Sequence, residues 1–182
     1  MIHKNPFCNP DCPPQWAQLT RVAGDRAAIR FEDLRSHVAD IEGLIEELHY
    51  LGPELGWAPR YRVGDDCLFV AHIAPGLLEA SLELNSAARE RVLDSRRVPT
   101  SIKKAVQAAV TSGGCTHVRV KLGNKASVRE FANLMRFLSK NFGCQYHPSP
   151  ARRRRSAPMI HLERTRNRGS AHHPSLAEEG SS

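Results

Sequence analysis

The chain has 182 residues, of which 41% are hydrophobic and 25% are charged, which is typical of one soluble globular domain of ordinary size. Its longest apolar stretches, such as residues 67–73, are far shorter than the roughly 20 residues of a membrane-spanning helix, and residues 1–14 lack the apolar core of a secretory signal. We therefore expect a cytoplasmic protein outside the membrane, and we expect its five cysteines to be reduced because an odd number does not suggest a disulfide framework.

The net charge of +7 is unevenly distributed along the chain. Residues 31–148 are nearly neutral, so most of the excess positive charge lies at the two ends. Within this central part, residues 32–54 contain seven acidic side chains against one base, whereas residues 89–140 contain twelve bases against three acids. The folded domain then has either two oppositely charged faces or an internal contact that neutralises both segments.

The first predicted elements are an irregular arm and a long helix. Residues 3–14 contain four prolines, which remove backbone donors and prevent regular pairing. Between residues 31 and 51, apolar side chains recur every three or four residues with acidic side chains between them, which predicts an amphipathic helix that ends at Gly52 and Pro53.

After Gly56 the pattern changes to short alternating runs separated by turn residues, which predict strands. The predicted strands are 57–63, 67–73, 77–84 and 116–122. Asn85 or Ser86 can cap a short helix, Pro99 can begin another that ends at Gly113, and Ser127 can cap a final helix that ends at Gly143. The apolar stripe of the second of these helices includes Val110.

The predicted fold class is α+β, with a small, mainly antiparallel four-stranded sheet packed against about four helices and with disordered termini. The domain organisation that follows is a proline-rich irregular arm at 1–27, a single domain at 28–148 and an arginine- and serine-rich tail at 149–182. The tail contains few large apolar residues and no periodic pattern, so we predict that it is disordered.

Four segments carry a resemblance to a known family, namely residues 56–62, 80–85, 98–103 and 118–122. With the order of the predicted elements, they make the chain similar to the YdhG-like group of small bacterial domains of unknown function, over about half of its length. The resemblance implies an α+β domain whose aromatic and basic strand residues line a concave sheet face, and it implies no catalytic residues. Some members of the wider group are described as iron chaperones, a role that would call for exposed carboxylates, and here only the predicted first helix is acidic.

Basic and aromatic side chains on two strands form the candidate binding site. Alternation places Arg60 with Arg62 on one strand face and Arg119 with Lys121 on another. Trp57 and Tyr61 lie close to the first pair in sequence, and bases next to an aromatic ring can hold an anionic ligand or a nucleic-acid backbone. The alternative is a solvated sheet face on which Glu79 and Glu83 balance these bases across strands.

The cysteines and histidines predict two weaker sites. Cys8 and Cys12, together with Cys144 and His147, have a spacing that tetrahedral Zn²⁺ permits, although unligated thiols are the expected state. Cys115 lies two residues before His117, but strand residues two apart face the same way by default, so the pair is not evidence of catalysis.

The leading functional hypothesis is a non-enzymatic domain that binds an anionic partner through its basic strand face. The first alternative is an interaction module whose acidic first helix binds a basic surface, such as that of a second copy in a salt-sensitive homodimer. The second alternative is a metal protein that uses Cys8, Cys12, Cys144 and His147. The arginine-rich run at 152–155 can add nonspecific phosphate contacts that salt screens.

Overall fold

A computed structural model of the chain describes residues 7–141. Within this part the fold is α+β and contains five helices and six strands. The helices are α1 (Trp16–Ala23), α2 (Asp25–Val38), α3 (Ser86–Asp94), α4 (Thr100–Gln107) and α5 (Lys125–Asn141). The strands are β1 (Leu44–Tyr50), β2 (Trp57–Val63), β3 (Asp66–Ala74), β4 (Leu77–Asn85), β5 (Val110–Ser112) and β6 (Cys115–Lys121).

The strands form one antiparallel sheet in the order β1-β2-β3-β4-β6-β5. Alternate side chains of the central strands are buried, and these side chains share one hydrophobic core with residues from all five helices. The helices therefore cover the same face of the sheet, and the opposite face carries no helix within residues 7–141. We call this second surface the open face.

Several predicted features are confirmed. Gly64 and Asp65 form the turn between β2 and β3, and Gly64 has the positive φ of 59° that a tight hairpin turn favours. The side chain of Asn85 caps α3 by accepting a hydrogen bond from the backbone N–H of Ala88 at 2.8 Å. The cap predicted for the last helix is wrong, because α5 begins at Lys125 and its N-cap is Asn124 rather than Ser127; the two side chains bond each other's backbone N–H groups.

The prediction of one long helix over residues 31–51 is wrong for the second half of that segment. Helix α2 ends at Val38, and after Gly43, which has a φ of 71°, the chain forms strand β1. The apolar residues of this segment fit a helical period and also a strand, because short apolar runs do not separate the two. Pairing with β2 along all seven residues of β1 decides the outcome.

Two further predictions are corrected. The apolar stripe predicted to continue a helix to Val110 is interrupted, because residues 110–112 form β5 and Gly113–Gly114 turns the chain into β6. Val110 is 71% exposed rather than buried. Strands β1 and β5 therefore give the sheet two more strands than predicted.

The segment 1–27, predicted to be irregular throughout, contains α1 and the start of α2, because Leu19 and Ala23 are buried in the core.

A partly buried polar cluster attaches β1 to the helices. The guanidinium of Arg35 on α2 donates two hydrogen bonds of 2.8 Å to the carboxylate of Glu46, and the Tyr61 hydroxyl donates a third of 2.6 Å. Arg35 also lies 5.2 Å from the ring centre of Trp16. Burial and the neighbouring Glu46 raise the pKa of Tyr61, so its hydroxyl is a donor at neutral pH.

Replacing Glu46 by alanine should lower the free energy of unfolding by about 2–3 kcal/mol, because a guanidinium and a buried phenol lose their shared acceptor. The matched control is Glu32→Ala, which removes the more exposed carboxylate bound to the same arginine and should cost no more than about 0.5 kcal/mol. Urea unfolding of the full chain measures both changes. Equal losses for the two variants would show that Glu46 has no special role.

Candidate functional site

The candidate site is the open face, whose side chains follow from strand register. Directly paired residues of antiparallel strands point to the same face, and one such row runs from Glu47 through Arg60, Val70 and Ser81 to Arg119. The neighbouring row contains the following polar side chains: His49, His72, Glu79 and Lys121. The open face is therefore a mixed surface of bases, acids and histidines.

At the β1–β2 corner the two arginines share one carboxylate. Glu47 accepts a hydrogen bond of 2.7 Å from Arg60 Nε and also contacts its Nη2. Arg62 Nε lies 3.4 Å from the other oxygen of the same carboxylate. Burial opposes ionisation of Glu47, but the hydrogen bonds and charges of the two arginines outweigh it and lower the pKa of this carboxyl group.

At the β6 corner the bases are held less closely. Arg119 is 56% exposed, and its Nη1 lies 3.8 Å from a Glu79 oxygen, which is too long for a hydrogen bond. Lys121 is exposed and pairs in register with Glu79. On the same strand, His117 Nδ1 lies 3.2 Å from Glu83. This corner can therefore offer cationic donors to a ligand at little cost in broken internal bonds.

Two half-buried histidines complete the open face. His72 Nε2 lies 2.7 Å from Ser81 Oγ, and burial together with the charge of Arg119 lowers the pKa of His72 to about 4. Burial and the charge of Arg60 also lower the pKa of His49, although Glu47 opposes this. Both imidazoles are neutral at pH 7, so they add polarity without positive charge.

The six residues predicted to bind a ligand are not brought into one place. Tyr61 and Trp57 lie on the helix-covered side, where they are 1% and 8% exposed. The two basic pairs share the open face, but β3 and β4 separate β2 from β6, which places the pairs roughly 14 Å apart. A single small anion cannot contact both pairs.

The acid that pairs with Arg60 and Arg62 on this face is not one of the two predicted from the sequence, Glu79 and Glu83. Glu79 does lie opposite Lys121, but the acid that bonds Arg60 and Arg62 is Glu47, whose segment was predicted to be helical. No role for Ser81 or His72 was predicted from the sequence. Alternation along 77–84 nevertheless predicted that Ser81 faces the same side of the strand as Glu79.

Part of the acidic segment 32–54 is paired with bases within the domain. Arg35 bonds Glu32 and Glu46, and Arg136, from the basic segment 89–140, lies 3.0 Å from Asp40. Contacts inside the domain therefore account for several of the acids that the dimer hypothesis requires on a surface. A homodimer through the acidic first helix stays a prediction.

The predicted zinc site lies partly outside the described residues. Cys8 is half-buried and Cys12 is exposed, while Cys144 and His147 fall beyond residue 141. Among residues 7–141 no group of three or more histidine, cysteine or acidic side chains is arranged to hold a metal ion. The four-ligand hypothesis stays a prediction.

The fold and the candidate site define an antiparallel α+β domain with a charged open sheet face. A scan against protein-family models, a search of curated proteins and a search of solved structures each returned no match to the chain. The resemblance to the YdhG-like group stays a prediction.

None of the helices in the described part of the chain is long and apolar enough to cross a membrane.

His72 should make the domain less stable in mild acid. Its folded-state pKa, about 4, is below the ordinary value of 6.5, so between these values the unfolded chain binds a proton that the folded chain does not. Stability should fall as the pH drops through this window, by up to about 1.4 kcal/mol per pH unit, and this contribution should level off below pH 4.

Urea unfolding of the wild type and of His72→Gln at several pH values between 4 and 7.5 isolates this effect. The carboxylates contribute to the pH dependence of both proteins, so the difference between the two curves reports His72. The decline should be shallower in His72→Gln than in the wild type. Parallel curves for the wild type and His72→Gln would contradict the assignment.

Proposed function

We propose that the chain is a non-enzymatic binding domain that holds an anionic group on its open face, at the β6 corner. The observation that carries the proposal is the contrast between the two basic pairs. Arg60 and Arg62 are engaged by Glu47, whereas the guanidinium of Arg119 is more than half exposed and has its nearest carboxylate oxygen at 3.8 Å. A ligand at Arg119 and Lys121 would add hydrogen bonds without displacing a close internal partner.

Further polar groups support an anion at this corner. Ser81 lies directly opposite Arg119 on the neighbouring strand and already contacts His72, so a hydroxyl and an imidazole border the guanidinium. Their mutual hydrogen bond uses one of their two protons, so one donor remains for an oxyanion: the Ser81 hydroxyl if His72 Nε2–H is the donor, or the His72 Nδ1–H if Ser81 is the donor. The arrangement suits a phosphate or carboxylate group that reaches the surface from outside.

The position of the aromatic rings favours a ligand that is recognised by its charge over one that is recognised by stacking of its nucleobases. Tyr61 and Phe69 stack on each other at 4.2 Å in the core, on the side of the helices. Single-stranded nucleic acids are bound through aromatic platforms next to basic grooves, and the rings of β2 and β3 do not supply such a platform on the open face. A phosphate contact is therefore favoured over stacking.

The double variant Arg119→Ala with Lys121→Ala should weaken binding of inorganic phosphate about tenfold or more, since charge-assisted hydrogen bonds are lost. Phosphate titrations followed through the amide NMR signals of β4 and β6 measure the affinity. The shifts should disappear at high salt.

The matched control is Arg60→Gln with Arg62→Gln, which removes two charges from the same face and should change the affinity less than threefold. Far-ultraviolet circular dichroism verifies that both variants are folded. If the control weakens phosphate binding as much as the β6 variant does, overall charge rather than the β6 corner is responsible and the proposed site is wrong.

A further inference from the structure

Strand β1 forms one edge of the sheet, and its outer side is unpaired within residues 7–141. It pairs with β2 along its whole length, and no strand of the described chain lies on its other side. Sheet edges are commonly protected from pairing between chains by proline, by lysine or by a bulge, and β1 has none of these. Its one charge on the helix-covered side, Glu46, is already bonded by Arg35 and Tyr61. The edge of β1 can therefore accept a further strand.

One hydrogen bond shows which backbone groups of β1 face this open edge. The Leu51 N–H donates to the Gly56 carbonyl at 2.8 Å, at the position that follows the last register pair of β1 and β2. Hydrogen-bonded and non-bonded positions alternate along antiparallel strands. The N–H and C=O groups of Glu46, Leu48 and Tyr50 therefore point away from β2, toward the open edge.

The side chains of β1 favour a second copy of the same strand as its partner. The registers that pair most of β1 with another β1 have their two-fold axis at Glu46, at Glu47 or at Leu48. With the axis at Glu46 or at Glu47, two identical carboxylates lie opposite each other, which is destabilising. With the axis at Leu48, Glu46 lies opposite Tyr50 of the second copy and Glu47 lies opposite its His49. This last register opposes no two acids.

The register centred on Leu48 is complementary on both faces of the sheet. On the open face, Glu47 accepts hydrogen bonds from its own arginines, and the imidazole of the second copy's His49 has an N–H to donate to the same carboxylate. On the helix-covered side, Leu48 packs against the core of its own domain at the edge of the sheet. Two such leucines that meet at the axis bury apolar surface between the two cores.

We propose that the chain forms a homodimer in which the β1 strands of two copies pair antiparallel about a two-fold axis at Leu48. The two sheets become one continuous sheet, with the helices of both copies on one side and both open faces on the other. This interface is independent of the proposed anion site, because β2, β3 and β4 lie between β1 and β6. It also differs from the dimer predicted from the sequence, since residues 44–50 contribute a strand rather than an acidic helix.

Sedimentation velocity of the full chain at several concentrations should show a monomer–dimer equilibrium. Leu48→Pro removes an N–H that points outward, and proline is tolerated at such a position of an edge strand, so pairing with β2 remains. This variant should weaken dimerisation about tenfold or more, because the hydrogen bonds at the axis are lost. The matched control is Leu48→Ala, which loses the same side chain but keeps the N–H, and it should weaken dimerisation about threefold at most. Far-ultraviolet circular dichroism verifies that both variants are folded.

A second pair of variants tests the register and does not depend on proline. His49→Glu places an acid opposite Glu47 of the second copy at two symmetric positions, so it should weaken dimerisation about fivefold or more. His49→Gln keeps an N–H donor at the same position and should change the dissociation constant less than about twofold. Amide hydrogen exchange provides a direct readout, since the outward N–H groups of Glu46 and Tyr50 should be protected in the wild type and should exchange rapidly in Leu48→Pro.

A wild-type chain that stays monomeric at every concentration would overturn the proposal and would leave the β1 edge to a strand of a different protein. A dimer that Leu48→Pro does not weaken would place the interface on another surface and would overturn it as well. Equal effects of His49→Glu and His49→Gln would contradict the register centred on Leu48. A dimer that both Leu48→Pro and His49→Glu weaken, with the two controls near wild type, supports the proposal.

Discussion

The contact of Glu46 with Arg35 and Tyr61 holds β1 in register with β2, and the placement of acids on the open face depends on that register. A carboxylate on the helix-covered side of an edge strand is costly unless it is paired, and here three hydrogen bonds compensate for its burial. Because side chains alternate along a strand, Glu47 must then point to the open face. A slip of one residue would turn Glu46 to the open face and break its three hydrogen bonds to Arg35 and Tyr61.

The same register places Tyr50 opposite Trp57 at the far end of β1. The open face and the contact between the Tyr50 and Trp57 rings are therefore linked through one strand, although they lie on opposite sides of the sheet. The contacts at the β1–β2 corner also decide which bases of the face are accessible. Glu47 bonds Arg60 and Arg62, whose side chains are 27% and 15% exposed, so the more accessible bases are Arg119 and Lys121, where Glu79 lies close.

The elements that local sequence determines were predictable, and those that depend on distant partners were not. Gly64, the Asn85 cap and the alternation of 77–84 act within a few residues, so their signals are complete in the sequence. Strand β1 lacks such a signal because its core-facing side includes Glu46, and the arginine that makes this acceptable lies on α2. The face shared by Arg60 and Arg62 was predictable from alternation, but the identity of their acid depended on pairing with β1.

Strand β2 also explains why residues 7–9 lie against the end of the sheet. Pro59 ends the ladder with β3, and the Trp57 backbone N–H and indole N–H donate instead to the carbonyls of Phe7 and Asn9. An open strand edge beside an uncovered aromatic ring is a template for unwanted pairing between chains. Residues 7–9 cover this edge from within the chain, in the place that further pairing with β3 would otherwise fill.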